Sequence, residues 1–184
     1  MKPITSLAML IAACAMSTFC RAEAAPMSVH SQTFEDGGNI PTLMAGPGAE
    51  CGNGETLTPH VSWSNLPQGT QSIAVLLFDP DAAKGQGVSH WVAYNIPATR
   101  AQLDQGTGSR TNNDLTVGPN TTGAETYRGL CPPAGDAAHH YVLTVIASDQ
   151  PAGSLRTGLD RAALLAYLKG HGLGAQSVVG RYGH

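Results

Sequence analysis

Charge and aromatic side chains are both scarce in this sequence. Of its 184 residues, 12% are Asp, Glu, Lys or Arg and 5% are Phe, Trp or Tyr. The 10 basic residues are scattered and the net charge is −3, so no basic track is available for nucleic acid, and nucleic-acid binding is not expected. There is no Cys-x-x-Cys, His-x-x-x-His or His-x-Glu spacing of the kind that builds a metal centre. The Gly-x-Ser-x-Gly elbow of a nucleophilic serine is missing too. No internal repeat, low-complexity tract or long linker divides the chain.

Turn formers are abundant: 22 Gly and 12 Pro, which suit a loop-rich β protein better than a helical bundle. The length allows one domain with a sizeable core. At the N-terminus, Lys2 precedes a largely apolar run from Ile4 to Phe19, and Ala22-Glu23-Ala24 fits the small-x-small rule for leader cleavage. Residues 1–24 therefore read as a secretory signal peptide and residues 25–184 as the domain. The apolar run is too short and too weakly flanked for a convincing transmembrane span, so no membrane anchor is expected after the leader is removed. The expected location is periplasmic or secreted. Ile11-Ala12-Ala13-Cys14 resembles the box before a lipid-modified cysteine, which makes acylation at Cys14 the alternative.

Beyond the leader only Cys51 and Cys131 remain. In an oxidising compartment two cysteines permit one disulfide, and two separate buried thiols are the other reading. Both cysteines border the polar runs described below, so the pair is expected to be bonded.

Ser28 to Phe34 alternates weakly and reads as a first strand, closed by the turn Glu35 to Asn39. Val61-Ser62-Trp63 is a short strand. Ser72 to Phe78 is almost continuously apolar, as in a strand buried on both faces, and Pro80 should end it. In the strand His90 to Ile96, alternation sets His90, Val92, Tyr94 and Ile96 on one face, opposite Trp91, Ala93 and Asn95. The irregular stretch Gln105 to Arg128 has the length of a lid or mobile flap. Tyr141 to Ala147 is a third strong strand. Asp160 can cap a helix whose apolar stripe is Ala162, Leu164, Leu165 and Leu168 and which Gly170 ends, and Ala175 to Tyr182 reads as a last short strand.

Three polar runs stand at the edges of the strong strands: Asp79-Pro80-Asp81, His90-Trp91, and Cys131-Pro132-Pro133 leading to His139-His140-Tyr141. Polar groups at strand ends are rigidly held yet open to a ligand. Taken singly they are ordinary: Asp-Pro-Asp is turn chemistry in any protein, and His90 could be a satisfied core histidine. Together they suit a metal site, an acid–base site or a small-anion pocket. Asp79, His90 and His139 could supply two imidazoles and a carboxylate to a metal, which keeps a metal-assisted hydrolase among the alternatives. Adjacent strand residues face opposite ways, so only one of His139 and His140 can share a pocket with His90.

The same runs, together with Leu57-Thr58-Pro59-His60-Val61-Ser62-Trp63, Leu66-Pro67-x-Gly69-Thr70 and the tail Leu173 to Tyr182, resemble the phosphatidylethanolamine-binding protein family. The likeness is to its bacterial Raf kinase inhibitor-like branch and covers nearly all of the chain after the leader, in order. It implies a mainly-β fold, an antiparallel β-sandwich with one or two short helices near the C-terminus. It implies a small anion pocket formed by Asp79, Asp81, His90, Gly129, Cys131, Pro133, His139 and Tyr141. Ala83 stands where the family has proline, His140 replaces an arginine, and Leu130 replaces a proline, changes that bear on ligand preference more than on fold. The expectation is an exported, non-enzymatic binding protein needing neither metal nor cofactor. Its ligand would be a small anion, a phosphate ester or phospholipid head group, and a protein partner is an additional possibility. A protease-inhibitor or host-interaction module with an incidental pocket is the competing reading. Kinase inhibition, known for animal members, does not carry over.

Overall fold

The computed structural model describes residues 25–184; the leader expected over residues 1–24, with Cys14, lies outside the described residues. Two antiparallel sheets make the fold. The smaller has the order β1-β2-β5, from β1 (Ser28–His30), β2 (Val61–Ser64) and β5 (Gln102–Leu103). The larger has the order β6-β4-β3-β7-β8, from β6 (Thr116–Val117), β4 (Val88–Pro97), β3 (Ser72–Asp79), β7 (His139–Ser148) and β8 (Gly172–Tyr182). A short turn, α1 (Ala82–Gly85), with Ala83 and Lys84 in the left-handed region, follows β3, and the helix α2 (Arg161–Leu168) precedes β8.

The central strand β3 is buried along both faces, which is why its sequence shows no alternation. Its Ile73, Val75 and Leu77 enter the main core with Trp63, Trp91, Tyr141, Leu143 and Val145. Its Ala74 and Leu76 enter a second core with Val92, Tyr94, Leu159, Leu164 and Leu168 of α2. The helix starts where expected, with Asp160 Oδ1 accepting the Ala163 N–H at 2.8 Å.

Four expectations from sequence are corrected. The first strand is only three residues long: beyond His30 the chain turns, with the Ser31 hydroxyl bonded to the His60 carbonyl and the Thr33 hydroxyl to the His60 amide. The tail is the longest strand, not a short one, because β8 pairs along all of β7 from His139↔Tyr182 to Ser148↔Gly172.

The stretch 105–128 is no flap. It contributes Leu115, Val117 and Tyr127 to the main core, and the Tyr127 hydroxyl donates to the Met44 carbonyl at 2.9 Å. It is stitched to β4 by Thr121 N–H to Ser89 O and Arg128 N–H to His90 O.

The strict alternation of β4 fails at two places. Between Leu77↔Trp91 and Phe78↔Ser89, and again between Ile73↔Ile96 and Val75↔Ala93, β4 carries one residue more than β3. Each bulge re-aims the side chains beyond it. Ile96 thereby joins Trp91 and Ala93 in the main core, opposite Val92 and Tyr94. Asn95, with φ +60°, lies in the second bulge and is buried with its amide bonded to Thr116 Oγ1 and to Leu155.

Candidate ligand pocket

One end of the large sheet supplies the pocket. The last residue of β3 is Asp79, β4 begins at Val88 opposite it, and β7 begins at His139. His90 is the extra residue of the first bulge. The bulge aims its ring at the Tyr141 side, where the two rings meet edge-on with centroids 5.4 Å apart. A cavity of about 540 Å³ opens there, lined by Asp79, Asp81, His90, Cys131, Pro133 and His139 together with Lys84, Arg128 and Asp136.

Asp79 organises the floor. It is 2% exposed, and Oδ1 accepts the N–H groups of Asp81 at 2.9 Å and Ala82 at 3.1 Å. Its Oδ2 faces Nδ1 of His139 at 2.8 Å, so the carboxylate orients the imidazole and leaves Nε2 for a ligand. His90 is held in the same sense: Nδ1 lies 2.9 Å from the Arg128 carbonyl, which can only accept, so Nδ1 carries the proton. Burial drives the pKa of His90 down to about 4, although the Arg128 carbonyl and the Asp79 charge oppose the shift. Desolvation outweighs the nearby carboxylate, so His90 is neutral and its Nε2 is a hydrogen-bond acceptor at neutral pH.

His139 and His140 separate as alternation requires. His139 is 9% exposed and lines the cavity, whereas His140 points out to solvent and pairs with Asp81 through Nδ1 at 2.9 Å. The His140 backbone N–H also donates to Asp81 at 2.7 Å, and this bond, followed by the one from the imidazole, holds the Asp81 carboxyl below its ordinary pKa. Asp81 lines the rim from this exposed position.

Two residues implied by the resemblance are not on the cavity wall. Tyr141 is fully buried under His90, and burial, then the Asp79 charge, pushes its pKa up. Gly129 lies behind the wall, where a Cβ would stand 2.6 Å from the Gly46 amide. That close approach lets the 129–130 segment pair with residues 44–46, through Leu130 N–H to Met44 O and Gly46 N–H to Leu130 O. It thereby sets Cys131 beside Cys51, and the two are joined by a disulfide. Lys84, Arg128 and Asp136 were missed in the sequence because isolated charges in loops carry no pattern. Among the described residues no three of His, Cys, Asp and Glu gather as a metal site. Asp79 has both carboxylate oxygens engaged by the protein.

Comparison with known proteins places these features in a family. The family model described as phosphatidylethanolamine-binding protein matches residues 30–183. UPF0098 protein YbcL of Escherichia coli is 39% identical over 128 residues, covering 67% of this chain and 69% of YbcL. The crystal structure of E. coli YbcL superposes with a TM-score of 0.79 at 30% identity, covering 87% of this chain and 99% of that one. A homologue from Chlamydia trachomatis superposes with a TM-score of 0.73 at 26% identity, over 86% of this chain and 98% of its own. LppC of Mycobacterium tuberculosis, whose name suggests a lipoprotein, is 33% identical over 151 residues, covering 78% of this chain and 67% of LppC.

Proposed function

This chain belongs to the phosphatidylethanolamine-binding protein family, and we propose that its pocket is an exported receptor for phosphate esters that carry a hydrogen-bond donor close to the phosphate. The carrying observation is the mixed lining of one cavity. Arg128 and Lys84 supply positive charge for the anion, while Asp81, Asp136 and the bare Nε2 of His90 can only accept hydrogen bonds when Asp81 and Asp136 are ionised. A phosphate alone satisfies half of that lining. A phosphoethanolamine head group, or a phosphate retaining one proton, satisfies both. His139, fixed by Asp79, is the imidazole placed to meet the phosphate.

Binding without turnover fits a wall that contains no hydroxyl side chain and whose one cysteine is tied in the disulfide. Export is supported by that disulfide and by the likeness to LppC. No helix among the described residues is long and apolar enough to cross a membrane. In this reading the mature protein is soluble in the periplasm or secreted, with acylation at Cys14 as the alternative, and intact mass from the native host separates the two.

Calorimetric titration with O-phosphoethanolamine and with methyl phosphate tests the pocket. The first ligand should bind several-fold tighter. Loss of one charge-assisted hydrogen bond costs about 1.5–3 kcal/mol, so His139→Ala should weaken both ligands at least tenfold and His140→Ala should change little. Wild-type affinity in His139→Ala, or equal losses for the two histidines, would overturn the assignment.

A further inference from the structure

On the other face of the large sheet, polar groups without protein partners meet in a second cavity of about 390 Å³. Ser89 stands directly opposite Phe78 in the β3–β4 register, so both side chains lie on this face and line this cavity. Ser89 is 8% exposed and its hydroxyl has no hydrogen-bond partner. Arg161, the first residue of α2, lays its guanidinium 4.2 Å from the centre of the Phe78 ring. Its Nε is buried and unpartnered, and Arg161 makes no salt bridge among the described residues. The first turn of a helix also leaves its leading N–H groups without intrahelical acceptors. Asp160 satisfies that of Ala163 and leaves those of Arg161 and Ala162.

A buried donor without an acceptor costs stability unless something fills the role. Here the unfilled donors are a hydroxyl, a guanidinium and a helix N-terminus, and they line one opening. All three favour an oxyanion. The Asp160 carboxylate lies in the same wall and offsets the Arg161 charge, which disfavours a doubly charged ligand. A guanidinium stacked on an aromatic ring still presents its N–H groups in plane, the fork that matches a planar carboxylate. Phe78 and Pro119 offer an apolar edge for whatever carries that group. We propose that this cavity is a second anion site, separate from the His139 pocket, and that it takes a carboxylate.

Titration with acetate at constant ionic strength, followed by amide NMR, tests this. Saturable shifts are expected at Ser89, Arg161 and Ala162, with inorganic phosphate at mildly alkaline pH binding more weakly than acetate. Arg161→Met keeps the apolar stem over Phe78 and should weaken acetate at least tenfold. Ser89→Ala, which removes a single neutral donor, should weaken it several-fold. His139→Ala should leave the isotherm unchanged, which keeps this site distinct from the first pocket whatever that pocket binds. Linear, unsaturable shifts, an unaltered isotherm in Arg161→Met, loss of the response in His139→Ala, or phosphate binding tighter than acetate would each overturn the proposal.

Discussion

Asp79 and His139 lie 60 residues apart in the chain and meet at 2.8 Å, both buried, at the end of two paired strands. The contact joins the end of β3 to the start of β7, while the other carboxylate oxygen gathers the turn of Asp81 and Ala82. Asp79 is thus as much a structural hub as a pocket residue.

Replacing it should therefore cost stability as well as binding. Asp79→Ala strips the acceptor from two backbone N–H groups and one imidazole, and bonds to a charged partner are worth about 1.5–3 kcal/mol each before relaxation and water entry. A net loss of roughly 3 kcal/mol in urea unfolding is expected. Asp79→Asn, which keeps one carbonyl acceptor, should lose about half as much. A change below about 0.5 kcal/mol in Asp79→Ala would show that these bonds do not hold the turn.

His90 makes the domain sensitive to acid. Its folded pKa of about 4 lies below the unfolded value of 6.5, so between those values the unfolded chain binds more protons than the folded one. Stability then falls as pH drops through that window, by at most about 3 kcal/mol once pH is below the folded value. Urea midpoints from neutral pH down to about pH 4 should decline in wild type and decline less in His90→Gln. In NMR the His90 ring should not titrate between about pH 5.5 and 7.5. A mid-range titration of that ring would remove the acceptor assigned to Nε2.

The strands β3 and β7 are legible because long apolar or alternating runs leave few alternatives. The pocket motifs are legible as polar residues at their ends. The two bulges of β4 are not, since an extra residue in one strand is defined by its partner strand and leaves the composition unchanged. Asn95 carried a faint sign, for asparagine tolerates the left-handed backbone it adopts. Arg128 was hidden differently: it reaches the pocket because its N–H and carbonyl are bonded to His90, a contact no local pattern encodes. β8 reads weakly because Gly172, Gly174, Ala175 and Ser177 lack strand propensity, and its length comes from pairing with β7.

Two glycines in the turn after β3 separate strain from packing. Gly85 and Gly87 both have positive φ, +83° and +82°. A Cβ on Gly85 meets nothing within 4 Å, whereas one on Gly87 would stand 2.1 Å from Cζ of Phe78. Gly85→Ala should cost only the backbone strain, about 1 kcal/mol. Gly87→Ala should cost at least about 2 kcal/mol, because it also displaces the ring on which Arg161 stacks. Equal thermal destabilisation of the two variants would refute the packing of Phe78 against this turn.

The Cys51–Cys131 bond ties the pocket to the redox state of its compartment. It closes a separation of 80 residues, for which the chain-entropy model gives roughly 4 kcal/mol of stabilisation. Cys131 is on the cavity wall, and the Cys51 carbonyl accepts the Tyr182 hydroxyl at 2.8 Å, so the crosslink also fastens the Pro132-Pro133 loop to the end of β8. The segment 44–46 stays paired with residues 129–130 without it, and a core of two packed layers remains. The Cys51→Ala/Cys131→Ala double variant should therefore still fold, with a urea midpoint lowered by an amount equivalent to about 2–4 kcal/mol. Its affinity for O-phosphoethanolamine should fall further than that of a surface variant of equal stability, since the loop bearing Pro133 and Asp136 is freed. Unreduced, denatured wild-type protein should show no titratable thiol beyond the leader. Two free thiols there, or an unchanged midpoint in the double variant, would break the link between the disulfide and the pocket.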